Sequence, residues 1–157
     1  MWEVTEAQKR NRVAPDERDA RGPELTGRIL LVDDDPHFLR VLARILSGEK
    51  FLITSAAGAC DALELVKSAQ FDLIISDLRM PECDGLSFVQ SLRRGGNNVP
   101  VIILTAYGEV DTYIDAMNAG ATEYLNKPIR SAELLKVVYS CLRSRRVRHD
   151  SISSNAA

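Results

Sequence analysis

The chain has 157 residues, 45% of them apolar and 27% charged, with a formal net charge of -2. That length suits one domain with a single core and leaves no room for a second, and the near-neutral, interspersed charge gives no global argument for nucleic acid or an anionic membrane surface. Cys60, Cys83 and Cys141 are odd in number and lack CxxC or Cys/His metal spacing, so free thiols in a reducing compartment, the cytoplasm by default, are expected; no run approaches the roughly 18 apolar residues of a membrane span, and no apolar signal-peptide core opens the chain.

Residues 1–27 are dense in charge, carry Pro15 and Pro23, and have no sustained apolar period, which predicts a disordered tail. From Arg28 the pattern changes. "RILLV" is followed by Phe38, Leu42, Ile45 and Leu46 at helical spacing, and "FLITSA" by Ala59, Leu63 and Val66. "FDLIIS" precedes Leu86, Val89 and Leu92; "VPVIILT" precedes Val110, Ile114 and Met117; "TEYLN" precedes Leu134, Val138, Cys141 and Leu142. These are five strand-helix units spanning residues 28–146. The runs beginning near residues 28, 71 and 99 are nearly continuous in Ile, Leu and Val, as expected of strands buried on both faces by helices. The fold class is therefore α/β with a parallel sheet.

Punctuation agrees with that period: Gly48 and Gly120 follow helical patterns as stops, and Asp84 and Ser131 precede helices as caps. The basic run from Arg143 to His149 reads as a solvated helix end, where cations complement the dipole, and residues 147–157 read as a second disordered tail.

In an open parallel sheet, ligands gather beyond the carboxyl ends of the strands. The residues standing there are Asp33, Asp34 and Asp35 after the first run, Ser76 and Asp77 after the third, Thr105 and Ala106 after the fourth, and Asn126, Lys127 and Pro128 after the fifth. Asp35 precedes Pro36, which suits an N-cap followed by proline at the first helical position. Asp33 and Asp34 lack that explanation, and with Asp77 on an adjacent strand they would repel one another unless neutralised. A divalent cation resolves the conflict. Carboxylate oxygens with no His or Cys beside them select Mg2+ or Mn2+ over zinc, leaving positions for water and phosphate. A carboxylate beside such a cation, with a Lys ammonium and a Thr hydroxyl nearby, is equipped for attack on phosphorus, giving an aspartyl phosphate.

"ILLVDDD", "LIISDLRMPECDGLSFV", "VPVIILTAYG" and "GATEYLNKP" together resemble the receiver domain of two-component response regulators, from about Arg28 to Arg146. The resemblance implies a flavodoxin-like, doubly wound (βα)5 fold with strand order 2-1-3-4-5. It also implies that Asp77 accepts phosphate from a sensor histidine kinase or phosphotransfer protein, and that Asp33 and Asp34 hold Mg2+ with Asp77. By the same resemblance Lys127 contacts the phosphoryl group, Thr105 and Tyr124 form the switch, Arg79 and Tyr107 tune the lifetime of the acyl phosphate, and the Lys127-Pro128 bond is cis. Output is expected through the face formed by residues 105–146, read by another protein or a second copy of the chain. "TAYGEVDTYIDAMNAGATEYLNKP" is similar in particular to receivers of sigma-54-type activators, but without their effector domains direct DNA binding is not expected. A phosphorylation-independent scaffold is the alternative. A flavin or nucleotide enzyme of the same topology is disfavoured because "DDDPH" would repel phosphate where such enzymes place Gly, Ser or Thr. An aspartyl-phosphate phosphatase is disfavoured because Arg79 stands where the second acid would be.

Overall fold

A computed structural model describes residues 26–106 and 108–154. The elements run β1 (Gly27–Val32), α1 (Pro36–Ser47), β2 (Phe51–Ala56), α2 (Ala59–Ser68), β3 (Leu73–Ser76), α3 (Gly85–Arg94), β4 (Val101–Thr105), α4 (Val110–Ala119), β5 (Glu123–Asn126) and α5 (Ser131–Ser154). All strand pairs are parallel and the order is β2-β1-β3-β4-β5, as the resemblance implied.

The two-residue period of a strand sorts the apolar runs into two cores. Leu30, Val32, Ile74, Val101 and Ile103 face α2, α3 and α4, where Ala62, Phe88, Val89 and Ala116 are buried. Ile29, Leu31, Leu73, Ile75, Ile102 and Leu104 face α1 and α5, against Leu42, Leu46, Leu134 and Val138. Burial on both faces explains why these strands contain no polar alternation. β2 lies at an edge, and its Leu52 is 69% exposed.

The helix ends follow local chemistry with some differences from expectation. Asp35 caps α1, its carboxylate accepting from the N–H groups of His37 and Phe38 at 2.9 and 3.3 Å. Asp84 caps α3 by accepting from Ser87 N–H at 2.8 Å. Ser131 is not a cap but the first residue inside α5, and the carbonyl of Arg130 accepts from Leu134 N–H. Gly120 ends α4 at φ +105°, whereas Gly48 ends α1 in the right-handed region at φ -64°.

One expectation is corrected. The segment after Arg146, expected to be a disordered tail, continues α5 to Ser154. It holds neither Gly nor Pro before that residue, and extending an anchored helix needs no new nucleus. Residues 155–157, like nearly all of the expected N-terminal tail, lie outside the described residues. The apolar period of α4 does not mark its buried face. Val110 and Ile114 are 76% and 49% exposed, while the small residues Ala116 and Ala119 pack on the sheet.

One structural residue carries no sequence signal. Arg93, at the end of α3, donates to the carbonyls of Asn97 and Val99 at 2.9 and 2.8 Å, and to that of Gly120 from Nε and Nη2 at 3.1 and 2.8 Å. It ties the α3–β4 and α4–β5 connections together, and partial burial lowers the pKa of its guanidinium from the ordinary value. Arg93→Met should destabilise the fold by about 2 kcal/mol, because carbonyls lose a charged donor that water cannot fully replace. A urea midpoint that falls at unchanged slope will register it.

Candidate functional site

The carboxyl ends of β1, β3, β4 and β5 form one edge, and ladder bonds set the residues there. Asp33 N–H donates to Ala56 O at 3.2 Å, Asp77 N–H to Val32 O at 2.9 Å, and Lys127 N–H to Thr105 O at 2.8 Å. Each chemical residue is thus the first beyond its strand, held by the neighbouring strand's last carbonyls. The peptide bond between Lys127 and Pro128 is cis.

Asp33 is almost fully buried. Its Oδ1 accepts from Asp35 N–H and its Oδ2 from Lys127 Nζ, each at 2.9 Å. Lys127 Nζ also lies 3.5 Å from Asp77 Oδ1 and 3.9 Å from the centre of the Phe38 ring, a cation–π contact. One carboxylate oxygen from each of Asp33, Asp34 and Asp77 lies within 4.8 Å of the others. Asp34 is exposed, so the cluster opens to solvent on its side. Burial raises the pKa of Asp77 from its ordinary value, and Asp33 adds to the rise while Lys127 and the Leu78 N–H oppose it.

Three carboxylates face one ammonium, leaving two uncompensated negative charges when all are ionised. The donors are oxygens alone, which fits a hard divalent cation completing its shell with water and a ligand oxygen. Asp33, Asp34, Asp77 and Lys127 are therefore brought together. Thr105 is fully buried at the end of β4, opposite Asn126 of β5. Tyr124 is half-buried in β5, its hydroxyl within 2.7 Å of Thr112 Oγ1 on α4. Arg79 is exposed on the β3–α3 connection, and Tyr107 lies outside the described residues.

A family model for the response regulator receiver domain matches residues 29–139. The chain belongs to that family. It is a receiver domain, a signalling module of two-component systems. It is 33% identical over 129 residues to the transcriptional regulatory protein ZraR of Klebsiella oxytoca, covering 82% of this chain and 29% of that protein. It is 40% identical over 118 residues to the transcriptional regulatory protein PrrA of Mycobacterium tuberculosis, covering 75% of this chain and 51% of that protein. The chain thus matches only between about a quarter and a half of these relatives. Among solved structures, the signal receiver domain of a putative LuxO repressor protein from Vibrio parahaemolyticus superposes with a TM-score of 0.76 at 27% identity, covering 80% of this chain and 96% of that one. Among the described residues, no helix is long and apolar enough to cross a membrane.

Sequence reading missed Gly85, which brings α3 against the receiver's β3 end. A Cβ there would lie 2.3 Å from Asp77 O, and its N–H donates to Leu78 O at 2.7 Å. The signal available was the Asp-Gly pair at the start of a helical pattern. Phe38, under the Lys127 ammonium, was legible only as a core residue.

Proposed function

We propose that this receiver takes a phosphoryl group onto Asp77 from a histidine kinase or phosphotransfer protein in the cytoplasm, with Mg2+ or Mn2+ held by Asp33, Asp34 and Asp77. The observation that carries the proposal is the cluster of three carboxylates with Lys127 placed between two of them. When bound, the cation neutralises charge on the phosphoryl oxygens.

The protein's own residues divide the remaining work. Asp77 Oδ attacks phosphorus in line; the P–N bond of phosphohistidine breaks as the new P–O bond forms, and the departing imidazole nitrogen keeps the electron pair and takes up a proton. Lys127, already 3.5 Å from Asp77 and anchored on Asp33 and Phe38, offers its ammonium to the developing charge. Thr105 supplies a hydroxyl for the transferred group, and its movement vacates space for Tyr124. Arg79 and Tyr107 govern the approach of water and so the lifetime of the acyl phosphate. The changed face, residues 105–146, is read by another protein or a second copy of the chain. The exposed Val110, Tyr113 and Ile114 of α4 support this, because apolar side chains grouped on a helix favour contact with a partner.

Beryllofluoride with Mg2+ tests the switch. It should move amide signals across residues 105–146, with the movement blunted in Thr105→Val; changes confined to the loops beside Asp77 and indifferent to that substitution would reject it. Acid roles can be separated too. Asp34→Ala should weaken Mg2+ binding measured by calorimetry, while Asp35→Ala should retain it and lose about 0.5–2 kcal/mol of stability with the N-cap.

A further inference from the structure

We propose that Thr112 is a positioning residue that latches Tyr124 to the first turn of α4 in the resting receiver, an inference resting on the switch role given to Tyr124 above. Thr112 Oγ1 lies 2.7 Å from Glu109 O, 3.2 Å from Glu109 N and 2.7 Å from Tyr124 OH. A threonine hydroxyl has one hydrogen. That hydrogen goes either to the Glu109 carbonyl, with Tyr124 O–H donating to Oγ1, or to Tyr124 OH, the carbonyl then keeping its bond from Tyr113 N–H; in both cases Glu109 N–H donates to Oγ1 and the two hydroxyls are bonded.

The same oxygen therefore closes the N-terminal turn of α4 and receives the switch residue. Tyr113, the next residue of that turn, presses edge-on against the Tyr124 ring, with centroids 5.7 Å apart and planes at 89°. Rotation of the Tyr124 ring toward the end of β4 must break the hydroxyl bond and leave this edge contact. The turn of α4 acts as a detent on the rotamer. By linkage, whatever holds Tyr124 at Thr112 opposes phosphorylation, and phosphorylation opposes the contact to the same degree.

Two substitutions remove the bond from opposite ends: Thr112→Val keeps the shape but lacks the hydroxyl, and Tyr124→Phe leaves the α4 turn intact. In ligand-free protein, side-chain couplings should report one χ1 rotamer for Tyr124 in wild type and averaging in Thr112→Val, with the single rotamer restored in Thr112→Ser. Half-saturation by beryllofluoride with Mg2+ should fall about two- to tenfold in each single variant, the range expected for one neutral hydrogen bond, and no further in the double variant. An unchanged rotamer in Thr112→Val, or additive shifts in the double variant, would overturn the latch. If wild-type protein ignores beryllofluoride, the phosphoacceptor reading fails, while the rotamer measurement still decides the role of Thr112.

Discussion

Incubation with acetyl phosphate and Mg2+ is expected to add one phosphoryl group to the protein, and Asp77→Asn is expected to add none. The substitution keeps the size of the side chain but removes the anionic oxygen that must attack phosphorus. It should leave the rest of the site assembled, because Lys127 retains its 2.9 Å bond to Asp33 and its contact with Phe38. Asp33 and Asp34 remain in Asp77→Asn, so they serve as an internal control for nonspecific labelling. EDTA should abolish the mass gain in wild type, since two uncompensated carboxylates repel an incoming phosphoryl group. Intact-mass spectrometry reads all of these outcomes. Full labelling of Asp77→Asn would move the phosphoacceptor elsewhere.

Gly85→Ala should cost about 3 kcal/mol, at the upper end for overpacking. The new methyl would lie 2.3 Å from Asp77 O and 3.1 Å from Leu78 Cα. Both obstacles are backbone, so no rotamer change relieves them. Either α3 lifts from β3 or the Asp77–Leu78 backbone shifts, and the second course moves the carboxylate relative to Lys127. The variant should therefore show both a lower urea midpoint and slower acetyl phosphate labelling. Gly58→Ala is the steric control: nothing lies within 4 Å of its added Cβ, so it should cost only what a poorer N-cap of α2 costs, about 0.5–1 kcal/mol. Equal stability of the two variants would show that the β3–α3 connection yields without strain.

The local features were legible because their causes are local. Unbroken Ile, Leu and Val in β1, β3 and β4 announces burial on both faces, and Asp35 before Pro36 announces a cap whatever surrounds it. Acids at the ends of apolar runs mark the ligand edge for the same reason: charge cannot remain inside the sheet without partners. The shared family motifs added the strand order, which periodicity leaves open.

Tertiary structure decided what depends on direction and distance. Asp33 and Lys127 stand 94 positions apart, and their 2.9 Å pairing follows from the register of the central strands and the placement of β5 beyond β4. The apolar period of α4 was visible, yet a period specifies a stripe and not whether a sheet covers it; the alanines on the other side allow close approach, so the larger side chains face outward. α5 runs past its expected end because an anchored helix propagates through residues that would not start one alone. Arg93, Gly85 and Thr112 act through carbonyls and hydroxyls of segments remote from or merely adjacent to them, and composition does not encode where a backbone oxygen points. That geometry exists only once the parallel strands have aligned and brought the connections at each end of the sheet together.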